Sequence, residues 1–148
     1  MVQAGMQAAA KASWWFWIIA VLSLLWNAMG CADFTMTVTR EPAYIAQFPP
    51  EVIDWLDAAP TVSLVVWAMG VWGALAGSLL LLLRSRWAVT AFAVSLAGLA
   101  GTLLWQLASD MPASMTTPAN VAFSVAIWIV ALALLWYAIR MRGRGVLR

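Results

Sequence analysis

Thr61-Val62-Ser63-Leu64-Val65-Val66-Trp67-Ala68-Met69-Gly70-Val71-Trp72-Gly73-Ala74-Leu75-Ala76-Gly77-Ser78-Leu79-Leu80-Leu81-Leu82-Leu83 carries no charge and stops at Arg84-Ser85-Arg86. With Ala58 to Pro60 in front, the uncharged run is about 26 residues, against the roughly 20 that a helix needs to cross a bilayer. A soluble amphipathic helix would turn a polar face outward every third or fourth residue, and this run has none. It reads as a membrane span over 61–83, with Pro60 in the first turn, Thr61 as cap and the arginine end in the cytoplasm.

Composition supports the same reading. The chain has 148 residues, of which 65% are hydrophobic and 9% charged, whereas soluble domains are about a quarter charged. One transmembrane domain over 1–148 is expected. A net charge of +2 is too small for a nucleic-acid surface. There is no histidine, and the single Cys31 excludes an internal disulfide. The eleven tryptophans suit membrane interfaces, where the ring is apolar and its N–H seeks water.

Outward from the central run, Arg84-Ser85-Arg86 makes a tight turn into a third span, 87–107. Gly70, Gly73 and Gly77 on one helix and Ala93, Ala97 and Gly101 on the next offer small residues for close packing, within the chain or between copies. Ser109 to Thr117 is a short turn. Thr117 caps a fourth span, 119–139, with Pro118 in its first turn. A tail with Arg140, Arg142, Arg144 and Arg148 follows.

On the other side, Lys11 and Trp14-Trp15-Phe16-Trp17 open a first span, 13–30, after a short alanine-rich start whose residues point to no particular structure. Ala28-Met29-Gly30-Cys31 loosely resembles a lipobox. Ala stands in its first position and Trp26-Asn27 is a bulky, polar approach, so the span is expected to be retained and Cys31 to be a plain thiol at the membrane edge. The long loop, 31–60, begins with Thr35, Thr37 and Thr39 alternating with apolar residues. That pattern fits either an extended strand or a continuation of the first helix. Pro42 to Phe48 forms a short helix, and Pro49-Pro50 breaks it. Glu51 to Asp57 is a small amphipathic helix, with Glu51, Asp54 and Asp57 on one side and Val52, Ile53 and Leu56 on the other. Its acids lie early, where the helix dipole favours them, and Trp55 sits at headgroup level.

The charges fix a topology. Lys11, Arg84, Arg86, Arg140, Arg142, Arg144 and Arg148 fall on one side. Arg40 and all six acids fall on the other. By the positive-inside rule this is an all-α, four-helix membrane bundle with both termini cytoplasmic. Arg84, Arg86, Arg140, Arg142 and Arg144 should meet lipid headgroups, the bilayer being the expected partner.

No charge is expected within the hydrocarbon, which argues against proton-coupled transport. Asn27, Ser63, Thr102, Gln106, Asn120 and Ser124 share an outward depth. With Asp33, Arg40 and Tyr44 above and Trp26 or Trp105 as a wall, they outline a shallow pocket for a small polar molecule. The competing reading is that they hydrogen-bond between helices. Asp33 and Arg40 are candidates for an ion pair that braces the loop. There is no nucleophile–histidine pair, metal-ligand cluster or phosphate-cradling loop, so no catalytic residue, metal or cofactor is expected.

Trp26-Asn27-x-x-Gly30-x-x-Asp33-Phe34-x-x-Thr37-x-Thr39-Arg40-x-x-x-Tyr44, then Gln47-Phe48, Pro50-Glu51 and Arg84-x-Arg86-Trp87-Ala88-Val89, resembles a family of small four-span proteobacterial inner-membrane proteins. Its members often carry a "sugar transporter" label. Phe34 stands where the family commonly has Tyr. The resemblance points to the loop and Asn27. Two functions are expected: a non-catalytic accessory or interaction partner of another membrane protein, or an oligomeric transporter of uncharged, sugar-like solutes. A ligand sensor ranks behind both, because the arginine tail offers little output.

Overall fold

The computed structural model describes residues 10–148; the alanine-rich start, residues 1–9, lies outside the described residues. The chain forms α1 (Trp14–Val38), α2 (Pro42–Ile45), α3 (Pro50–Asp57), α4 (Thr61–Leu82), α5 (Ala88–Ala108), a 3-10 turn (Ala113–Met115) and α6 (Pro118–Gly143). Among the described residues there is no strand. α1, α4, α5 and α6 are long and apolar enough to cross a membrane, the architecture of a multi-pass membrane protein.

α1 does not stop at Gly30. It continues through the threonine stretch to Val38. The reason is local: Thr35, Thr37 and Thr39 donate their hydroxyls to the carbonyls of Cys31, Asp33 and Thr35, at 2.7, 2.8 and 2.7 Å. Each hydroxyl is satisfied by its own helix, so the threonines need no water. At the other end Ser13 caps α1, accepting from the Phe16 N–H.

α1 and α4 run antiparallel. Asn27 Nδ2 donates to Ser78 Oγ at 2.8 Å and to the Ala74 carbonyl at 3.3 Å. Cys31 Sγ donates to the Val71 carbonyl at 3.3 Å, and the Phe34 and Trp67 rings meet edge to face. This register corrects two expectations. Cys31 is 5% exposed inside the α1–α4 contact, not at a membrane edge. Asn27 lies level with the arginine-side half of α4, not near the loop end.

α4 and α5 form the tightest pair. Gly70, Gly73 and Gly77 face α5, but the opposing face is Ala91, Phe92, Ser95 and Gly98. Ala93 and Ala97 are exposed, and Gly101 meets the side chain of Val66. Ser95 Oγ closes the contact by donating to the Gly70 carbonyl at 2.6 Å. Thr61 is the first helical residue and does not cap α4; Ser63 donates instead to the Pro60 carbonyl at 2.7 Å.

The buried cluster sits at the arginine-rich end. It joins Phe16 and Ala20 of α1, Leu81 of α4, Ala88 and Phe92 of α5, Leu134, Ala138 and Met141 of α6, and Val146 and Leu147 beyond it. Here the chain tail is not a free lipid-facing strand. Arg86 N–H donates to the Arg148 carbonyl at 2.7 Å, and Arg148 N–H to the Arg84 carbonyl at 2.8 Å. Arg84 Nε donates to the Val146 carbonyl at 3.0 Å and Arg84 Nη2 to the Ala10 carbonyl at 2.7 Å. Arg84 therefore ties protein to protein, contrary to the headgroup role expected of it. Arg86 and Arg140 lie over Trp87 and Trp136, at 6.0 and 5.2 Å from the ring centroids, and Arg142 and Arg144 are exposed. At its opposite end α6 is exposed from Pro118 to Val125.

Candidate functional site

The loop between α1 and α4 is a folded cap. Glu41 caps α2 through Tyr44 N–H, at 2.7 Å, and Pro42 starts the helix. Pro50 starts α3. Val52 is 2% exposed, Ile53, Trp55 and Leu56 are half-buried, and Glu51, Asp54 and Asp57 are exposed. α3 thus lays its apolar side on the bundle, as an amphipathic turn must.

Five contacts fix the cap. Arg40 pairs with Asp57. Tyr44 Oη donates to Asp33 Oδ1. Trp55 stacks on Trp105 with ring centroids 4.3 Å apart, and its indole N–H donates to Ser109 Oγ at 3.1 Å. Ser114 Oγ donates to Glu51 Oε1 at 3.2 Å. Trp55 is therefore a tertiary clasp, not a lipid anchor. The contact between Arg40 and Asp33 expected from the sequence is replaced by two separate ones.

Asp33 has an unusual depth. It lies between Cys31, which meets Val71, and Phe34, which meets Trp67, so it sits about two helical turns below the Thr61 end of α4. The reason is the continued helix: α1 carries Asp33 alongside α4 instead of into a loop. An ionisable group at such a level needs a named partner, and Tyr44 reaches back from α2 to supply it. Burial, then the hydrogen bond to Asp33 and its charge, push the Tyr44 hydroxyl up to about 12.

The shallow polar pocket does not assemble. Asn27 is engaged by Ser78, Asp33 by Tyr44, Arg40 by Asp57 and Trp105 by Trp55. Thr102 donates to the Gly98 carbonyl at 3.0 Å, and Gln106 offers its carbonyl to Ser109. Asn120 donates to the Ser114 carbonyl, and Trp26 lies 6.1 Å from the Phe123 ring. These polar groups serve helix contacts and caps. A space of about 70 Å³ at this end lies beside Thr37, Arg40 and Trp67, little more than room for water. Sequence reasoning missed Ser78, Ser95 and Gly98, which join the helices, and Asp57 as the partner of Arg40. The two serines were findable as hydroxyls deep in apolar runs.

No family model, curated protein or solved structure matches the chain. The family resemblance rests on the quoted residues alone.

Proposed function

We propose that this is a non-catalytic accessory protein of the bacterial inner membrane, which presents its loop cap to another membrane protein on the outer side. The observation that carries the reading is the braced cap. Its five contacts hold α2 and α3 in place before any partner arrives, which lowers the entropy cost of binding. Glu41, Glu51, Asp54, Asp57 and Asp110 are exposed there, and the one arginine at this end is engaged with Asp57. A partner with a basic outer rim fits this surface, and charge complementarity would steer the encounter. The proteobacterial resemblance and the positive-inside rule supply the compartment and orientation. Transport of uncharged solutes, the other expectation, has no comparable feature behind it, and its proposed pocket residues are engaged in helix and cap contacts.

Affinity purification in mild detergent tests the proposal. A defined membrane protein should co-purify with the native chain and be lost with Trp55→Ala, which frees α3. Repeated elution alone, with the deletion phenotype intact, overturns it.

A further inference from the structure

The arginine-rich end holds a cavity of about 350 Å³ between the start of α1 and the end of α6. That volume is in the range of small-ligand sites. Its wall is of two kinds. Lys11 and Arg144 bring positive charge, while Trp15, Ile19, Tyr137 and Met141 bring apolar and aromatic surface. No Asp or Glu stands near to neutralise the cations: all six lie at Asp33, Glu41, Glu51, Asp54, Asp57 and Asp110, toward the opposite end. Arg140 and Arg86 lie against tryptophan rings, whereas Lys11 and Arg144 line this space.

The cavity is also built by tertiary contacts. Arg84 donates both to the Ala10 carbonyl and to the Val146 carbonyl, and Ala10 and Val146 stand in the cavity wall. One guanidinium thus ties the segment before α1 to the segment after α6. Arg84 does so from a left-handed backbone, with φ 56°.

We infer that this cavity binds the phosphate headgroup of an anionic phospholipid, between Lys11 and Arg144, with the glycerol and the upper acyl chain against Trp15 and Ile19. The mixed wall chooses this ligand. A free phosphate would leave the apolar side unused, and a zwitterionic lipid would bring its own cation against two others. The inference rests on the bilayer placement of the helices and is independent of the accessory role.

Native mass spectrometry of the full chain in mild detergent tests it, with phosphatidylglycerol, phosphatidylcholine and glycerol phosphate as probes. Phosphatidylglycerol should remain bound in preference to both others. Lys11→Gln with Arg144→Gln should weaken it about 10- to 30-fold, as expected for two basic contacts. Arg140→Gln with Arg142→Gln, an equal loss of charge nearby, should weaken it less than about threefold on the same scale. Lys11 and Arg144 are exposed, so the double variant should fold; Lys11→Glu alone is the second variant and should abolish the preference over phosphatidylcholine. Equal loss in both double variants would mean a diffuse field and overturn the site. Phosphatidylcholine binding as tightly, or glycerol phosphate competing at equal concentration, would overturn the lipid assignment, as would a Lys11→Glu protein that keeps its preference.

Discussion

Arg40 and Arg84 both adopt left-handed backbone conformations, with φ 55° and 56°. Each follows the end of a long helix and closes it in the same way. Arg40 N–H donates to Thr37 and Glu41 N–H to Met36; Arg84 N–H donates to Leu81 and Ser85 N–H to Leu80. Glycine is the usual residue there, and Gly145 fills the matching place after α6, with φ 70°. An L residue in this conformation costs about 1–2 kcal/mol. The side chains explain why arginine stands there: Arg40 reaches Asp57, and Arg84 holds two carbonyls. Gly98 makes the opposite case, a place where no side chain fits. A Cβ there would sit 2.4 Å from the Gly70 nitrogen and 2.6 Å from the Val66 carbonyl oxygen, and backbone cannot step aside as a side chain can. Gly98→Ala should therefore lower stability by about 1–3 kcal/mol, read as a drop in Tm in detergent. Gly30→Ala, whose Cβ would meet only Val71 at 3.7 Å, should be neutral or better. An unchanged Tm for Gly98→Ala would contradict the close α4–α5 approach.

Among the elements, α1 shows how a local detail redirects a region. The alternating threonines suit a strand by side-chain pattern, yet their hydroxyls back-bond to carbonyls four residues earlier and the helix continues. That extension carries Asp33 alongside α4, and α2 then folds back so that Tyr44 can meet it. Tyr44 thus reports whether the cap is docked. Its hydroxyl, raised from about 10 to about 12, favours the docked state while protonated. Docking should be fully stable below pH about 10 and lost as pH rises from there through about 12. In a Tyr137→Phe background Tyr44 is the remaining tyrosine, and its absorbance should titrate near 12. Asp33→Asn removes the charge and should move the midpoint down, leaving it above 10 because burial remains. A native midpoint at 10 would mean that α2 does not dock.

The whole molecule is closed at one end and open at the other. Its buried cluster and the Arg84 ties lie together at the arginine-rich end, while α6 is bare from Pro118 to Val125. Between apolar helices in lipid there is no water to expel, so close approach and hydrogen bonds must hold the bundle. α4 and α5 have both, through their glycines and Ser95. Orientation is a property of the entire chain, set by the loop charges. In a Cys31→Ala background, Ala113→Cys should react with an impermeant maleimide from outside intact cells. Gly143→Cys should react only after permeabilisation. The reverse pattern would place the arginine end outside and remove the basis for the proposed partner side.

Uncharged runs long enough to span a bilayer, bounded by charged residues, specify four membrane-length helices by themselves. Backbone groups in an apolar medium have no alternative to bonding within the helix. The grouping of the basic residues, Arg40 apart, at one end and of the acids at the other is equally a sequence property. Which small residues touch is not. Ala93-Ala97 and Ala91-Ser95-Gly98 are both small-residue rows of the same helix, and only the rotation of α5 against α4 selects the second, with Gly101 also meeting α4. The partners of Asp33, Arg40 and Asn27 were likewise undetermined, because each bond depends on the register of α1 beside α4 and on the fold of the cap. Tertiary structure decided these because a polar group in a dry bundle takes the partner that packing brings within reach.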